Sequence, residues 1–110
     1  MKVKDFAEKY SMKILIEADL ATREAKGCYC GDLLSWVMSK AEADDIWLTV
    51  MGNVNSIGVA VLSDVACIVL TENAAFDDDA LKRAKENGVI VLQTEMNTYE
   101  TATKIYEELK

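Results

Sequence analysis

Apolar positions along this chain alternate between helical and extended spacing. Val3, Phe6, Ala7 and Tyr10 recur three and four apart, which predicts a short first helix over residues 3–10. Lys13 to Ile16 reads as a brief strand, followed by a polar connection from Glu17 to Lys26. A second short strand, Gly27 to Cys30, runs into GDLLSWVMSKA. There Leu33, Leu34, Val37, Met38 and Ala41 mark one helical face, with Asp32, or Gly31 beside it, as the expected cap. The unbroken apolar run from Ile46 to Met51 predicts a third strand covered on both faces, as in parallel sheets. A helix is expected near 54–62 and a fourth strand over Val65 to Leu70.

The second half continues the alternation. Asp77 is placed to cap a helix, with Phe76 and Leu81 spaced as a hydrophobic staple. Asn87-Gly88 ends that helix, because glycine takes the left-handed exit conformation freely. Val89 to Leu92 predicts a fifth strand. Asn97 with Glu100 resembles a capping box for a last helix, whose stripe is Tyr99, Ala102, Ile105, Tyr106 and Leu109. The alternation defines an α/β fold, a single three-layer-like domain over residues 1–110. Its sheet is expected to be mostly parallel, with four or five strands and flanking helices.

Composition narrows the function classes. A chain of 110 residues builds one core. The net charge of −7, with scattered lysines and arginines, argues against nucleic-acid and anionic membrane surfaces. MKVKDFAEKY is amphipathic, unlike a signal peptide, and the uncharged run Ile46 to Ser63 is too polar to span a bilayer. A cytoplasmic location with free thiols is therefore expected. The chain has no histidine, so Ser-His-Asp and Cys-His arrangements are excluded and an enzyme is not expected. No GxxxxGK[ST] or GxGxxG occurs, and no cofactor or metal is expected.

Candidate chemistry concentrates at strand ends. In an open parallel sheet the ligand crevice lies beyond the carboxyl ends of the strands. The turn Gly52, Asn53, Val54, Asn55, Ser56 falls there, with Gly52 allowing close backbone approach and a helix start offering free NH groups. Thr71 and Asn73 follow the next strand, and Thr94 and Asn97 the last. With Asp32 these residues are read as one pocket for a nucleotide or other small polar ligand. Simple capping by Asn53 or Asn55, and ordinary loop polarity, compete with that reading.

Three further features weigh toward structure or assembly. Asp77-Asp78-Asp79 is read as a dipole-compensating helix start rather than a magnesium site. Cys28, Cys30 and Cys67 are read as buried small hydrophobes, with the CxC pair expected to split across its strand's two faces. The helix after Asn55 keeps no polar face beyond Ser56, so a sheet face alone leaves it uncovered. A symmetric homodimer is expected through Ile57, Gly58, Ala60 and Val61, joined by Trp36 and Met38.

The segments GDLLSWVM, WLTVMGNVNSIGVAVLSDVACIVLT, ALKRAKENGVIVLQT and TYETATKIYEEL resemble the DRTGG domain family, from about Val3 to Leu109. The chain is most similar to its small stand-alone members, labelled as regulators of HPr serine kinase and often encoded near iron hydrogenases. Related domains occur in phosphotransacetylases, in CBS-containing inorganic pyrophosphatases and, more distantly, in HPr kinase. The resemblance implies an α/β fold, dimer formation and a regulatory role without catalysis, with adenine-nucleotide binding by analogy to the pyrophosphatases. Where the family carries Asp-Arg-Thr after the central strand, this chain has Asn53-Val54-Asn55. Where paired glycines follow the next strand, it has Thr71-Glu72-Asn73. Loss of the arginine removes the best phosphate partner. The alternative function is an interaction partner or scaffold for a metabolic or redox enzyme such as a hydrogenase.

Overall fold

The apolar runs become the middle of a five-stranded sheet with order β1-β5-β4-β3-β2. A computed structural model describes residues 1–110. Its elements are α1 (Val3–Lys9), β1 (Lys13–Ile16), β2 (Gly27–Cys30), α2 (Leu34–Lys40), β3 (Asp45–Thr49), α3 (Val54–Ser63), β4 (Cys67–Leu70), α4 (Asp78–Glu86), β5 (Val91–Gln93) and α5 (Thr98–Leu109). Strands β2 to β5 run parallel, and β1 closes one edge antiparallel to β5. The mostly parallel α/β architecture read from the pattern is therefore the one observed.

Strand side chains alternate between faces, and that period divides the core in two. Ile46, Leu48, Cys67, Val69 and Leu92 face α1 and α5, which contribute Val3, Phe6, Ala7 and Ile105. Trp47, Ile68, Leu70 and Val91 face α2, α3 and α4, which contribute Val37, Ile57, Val59, Ala60, Ala80 and Ala84. The central strands β3 and β4 are buried throughout, which is why they read as continuous rather than alternating runs. Burying each such Leu, Ile or Val contributes roughly 1.5–3 kcal/mol. The connection expected to be merely polar, 17–26, also plugs the core with Leu20 and Ala25. Its Arg23 guanidinium pairs with Asp44 and Asp64 at 3.0 and 3.3 Å, tying two distant turns together.

Several local expectations hold. Asn53, Asp77 and Asn97 each cap a helix with the side-chain oxygen. Gly88 adopts φ +67° just past α4. Others are corrected. The third strand stops at Thr49, because Val50 and Met51 turn their N–H groups to Asp32 and to the Thr49 hydroxyl. Asp32 does not cap α2; that helix starts after Leu33 without a side-chain cap. Its predicted apolar face holds in part: Val37 is fully inside and Leu34 and Ala41 pack against the same core, whereas Leu33 and Met38 fall off that face. Leu33, Trp36 and Met38 are exposed.

The all-round apolar helix α3 resolves into two sides. Ile57 and Ala60 are buried beneath the helix against its own sheet, so their side chains are withdrawn from the surface once assigned to a partner. Gly58, Val61 and Leu62 face outward, with Leu62 73% exposed. No helix is long and apolar enough to cross a membrane.

Candidate functional site

Because β2 to β5 are parallel, the turns that leave them gather at one edge of the sheet. The exit from β4 leads to α4 on one face, and the exit from β5 leads to α5 on the other. Diverging exits from neighbouring strands open a crevice at the carboxyl end of a parallel sheet. The crevice lies between the loops Thr71–Asp77 and Thr94–Asn97.

The turn after β3 lies one strand away and is chemically occupied. The Asn53 carboxamide oxygen accepts from the N–H groups of Asn55 and Ser56 at 3.0 and 3.3 Å. The Ser56 hydroxyl is fully buried and donates to the Met51 carbonyl at 2.5 Å. Gly52 is small for a different reason than ligand access. A Cβ there would collide with the Ala75 carbonyl and stand 2.7 Å from the Phe76 ring. The Gly52 carbonyl also accepts from Asp77 N–H at 3.2 Å, locking this turn to the start of α4. Asp32 completes the network by accepting from the Thr49 hydroxyl at 2.7 Å and from Val50 N–H at 2.9 Å. Of the residues expected here, only Asn55 keeps an exposed side chain free of this network. Asp32, Gly52, Asn53 and Ser56 hold the fold together.

The crevice itself is more open. Glu72 and Asn73 both adopt φ +56°, a left-handed conformation that glycine takes freely and that a Cβ disfavours. These are the positions at which the resemblance places paired glycines. The conformation directs the N–H of Glu72 to the Met96 carbonyl and that of Asn73 to the Thr94 carbonyl, both at 2.8 Å. Thr71 is buried, and its hydroxyl pairs with that of Thr98 at 2.8 Å. Beside this bridge lies a cavity of about 390 Å³. Asn73, Thr94 and Glu95 line it from the loops, Gln93 from the end of β5, and Tyr10 and Lys13 from the α1–β1 corner.

Two predicted residues, Asn73 and Thr94, therefore share a cavity, whereas Asp32, Gly52, Asn53, Asn55, Ser56 and Thr71 lie outside its lining. Lys13, Tyr10 and Gln93 were not anticipated. Lys13 pairs with Gln93 across the antiparallel β1–β5 ladder, so its presence depends on strand order, which local pattern does not reveal. Tyr10 is fixed by its hydroxyl, which donates to the Glu108 carboxylate at 3.0 Å. Burial pushes the Tyr10 phenol above its ordinary value, and the Glu108 contact adds to that shift.

The cysteines depart from expectation. Residues two apart on a strand share a face, so Cys28 and Cys30 both point toward α5. Their sulfurs are 4.0 Å apart, with Cys28 half-buried and Cys30 exposed. Only Cys67 is the buried small hydrophobe expected, and burial pushes its thiol up to about 12.

A three-layer α/β module with helices on both sheet faces and a polar strand-end crevice is the class defined by these observations. The sequence profile of the DRTGG domain family matches residues 5–107. The chain belongs to the DRTGG domain family. No curated protein matches it. A similar fold occurs in the CBS and DRTGG domains of the regulatory region of Clostridium perfringens pyrophosphatase, complexed with its activator diadenosine tetraphosphate. The TM-score is 0.74 at 12% identity, over 94% of this chain and 45% of that one. The chain thus spans less than half of its structural neighbour, and the likeness concerns the fold.

Proposed function

We propose that this chain is a non-catalytic regulatory module that binds an adenine nucleotide or a similar small polar ligand in the crevice between the β4 and β5 exits. The observation that carries this reading is the cavity of about 390 Å³ lined by Asn73, Gln93, Thr94 and the Lys13 ammonium. Its volume falls in the usual range for small-molecule sites, about 300–1,000 Å³. Carboxamides and a hydroxyl suit base or ribose edges, and Lys13 suits a phosphate as a point charge. Glu95 on the same lining disfavours a heavily phosphorylated group close by. The nucleotide bound by the pyrophosphatase regulatory region supports the ligand class.

Thermal-shift measurements with AMP, ATP and diadenosine tetraphosphate test it. A ligand at about ten times its Kd adds about 1.4 kcal/mol, which raises the Tm of a domain this size by roughly 6 °C. The Lys13→Ala variant should keep its own Tm and lose the response to phosphate-bearing ligands. A flat response of the wild type across the panel refutes the pocket.

The outward surface of α2 and α3 supports homodimerisation as part of the same reading. Trp36, Met38, Val61 and Leu62 are exposed on adjacent helices, and Gly58 has nothing within 4 Å of the place a Cβ would occupy. The contact is carried by these residues and not by Ile57 or Ala60. Light scattering should return a dimer at micromolar concentration that Leu62→Glu dissociates. A monomeric wild type refutes the assembly. The same apolar surface favours a second reading, a docking module for a metabolic or redox enzyme. In that case capture of such an enzyme from the native host depends on Trp36, and nucleotides leave the Tm unchanged.

A further inference from the structure

The edge strand β2 reads Gly27-Cys28-Tyr29-Cys30, followed by Gly31, and turns both thiols into one groove. The groove measures about 430 Å³ and is otherwise lined by Ala102, Ile105, Tyr106, Leu109 and Lys110 of the α5 side. The two sulfurs stand 4.0 Å apart. The extended backbone sets that separation, since residues two apart on a strand are separated by roughly 6.6 Å at Cα. A disulfide needs sulfurs at about 2.05 Å and Cβ atoms at about 3.8 Å. Closing it would pinch β2 away from β3, to which Cys28 and Cys30 are in register at Ile46 and Leu48. Two metal–sulfur bonds of about 2.3 Å, by contrast, span roughly 4 Å at a bend of about 120° and about 4.6 Å when collinear, so a small rotation of the exposed Cys30 side chain brings the pair to a linear arrangement with the strand undisturbed.

We propose that Cys28 and Cys30 form a two-coordinate site for a soft monovalent cation of the copper(I) type. Each sulfur gives a lone pair to the ion and each thiol proton leaves to solvent, with no change in oxidation state. Thiolate donors select soft ions of this kind. A zinc site needs four ligands, and no group of three or more Cys, Asp or Glu side chains converges anywhere on the fold. The apolar wall of α5 shields the sulfurs from water on one side. The bis-thiolate complex carries one net negative charge, and Lys110, whose ammonium pairs with Glu107 at 3.4 Å, closes the end of the groove.

The test is anaerobic titration of the full chain with copper(I) against a competing chromogenic chelator, read by native mass spectrometry and by alkylation of each cysteine. Retention of one ion per chain, with Cys28 and Cys30 protected, supports the site. Cys30→Ser and Cys28→Ser should each lose the ion, and Cys67→Ser should keep it. Cys30 is exposed, so its variant folds even if the Cys28 variant does not, and circular dichroism checks both. Surrender of all copper to the chelator overturns the proposal. So does retention that survives the Cys28→Ser, Cys30→Ser double variant. A metal-free Cys28–Cys30 disulfide that forms in the presence of copper(I) also overturns it. These outcomes are independent of the nucleotide crevice, because the groove lies beside the opposite edge strand.

Discussion

The turn after β3 and the crevice between the β4 and β5 exits carry the same kinds of residue to the same edge of the sheet. They differ in how much hydrogen-bonding capacity is left over. At the β3 turn, Asn53 caps α3, Ser56 holds the Met51 carbonyl, and Asp32 gathers Thr49 and Val50. In the crevice, main-chain bonds from Glu72 and Asn73 join the loops, Thr94 Oγ1 accepts from Met96 N–H, Gln93 Nε2 donates to the Ala74 carbonyl, and the side chain of Asn73 lines the cavity with no partner in the fold. Polar residues at a strand end therefore mark a site only where the fold has not already used them. An Asn offers up to four hydrogen-bonding positions, and what counts is how many remain.

The largest effect expected on this contrast comes from Gly52→Val. Its Cβ meets the fixed Ala75 carbonyl as well as the Phe76 ring, so the β3 turn must separate from the start of α4. Overpacking against backbone costs about 3 kcal/mol, measured as a fall in the urea midpoint. Ser56→Ala comes next. It strips the Met51 carbonyl of a side-chain donor inside the protein, which costs about 1–2 kcal/mol. Asn53→Ala removes a helix cap and costs about 1 kcal/mol. If the β3 turn also held the ligand, these last two variants would in addition abolish the nucleotide-dependent Tm shift.

A smaller effect of opposite sign belongs to the crevice. Glu72 and Asn73 share φ +56°, but asparagine tolerates that region and glutamate does not. The left-handed conformation costs roughly 1–2 kcal/mol for a residue with a Cβ. Glycine returns about half of that through its freer unfolded chain. Glu72→Gly should therefore raise stability by up to about 1 kcal/mol, and Asn73→Gly by less. Equal gains at both positions would mean that strain is not what separates them.

How much of this was legible depends on the range of the interaction. Caps at Asn53, Asp77 and Asn97 act within three residues, and the pattern exposes them. Asp32 looks like a cap by the same local rule, but Thr49, seventeen residues on, claims its carboxylate. The buried strands β3 and β4 announce themselves as apolar runs. Strand order does not, and with it Lys13 of the cavity stays hidden. The uniform apolar character of α3 does not tell which residues its own sheet takes and which, Val61 and Leu62 among them, it leaves exposed. The period of a strand puts Cys28 and Cys30 side by side, and the sequence alone allowed that conclusion.

The smallest predicted effect concerns the wall of the crevice. The Lys9 ammonium donates to Glu108 at 2.8 Å and the Tyr10 hydroxyl donates at 3.0 Å, so α1 and α5 meet beside the cavity that Tyr10 lines. Chiefly through the Lys9 contact, with Tyr10 adding to it, the Glu108 carboxyl lies below its ordinary value. A carboxylate depressed in the folded state contributes stability above its unfolded pKa and loses that contribution as the pH falls through the folded one. The wild type should therefore shed a small increment of Tm on acidification below the usual carboxylate range, an increment that Glu108→Gln lacks. The pair is solvent-exposed, so the increment is minor and shrinks with salt. Nucleotide binding at neutral pH gives the sharper readout. If Tyr10 shapes the crevice, Glu108→Gln weakens the ligand-induced shift while Asn53→Ala, across the sheet edge, does not. Equal weakening by both would make the edge one continuous site and erase the distinction between its two halves.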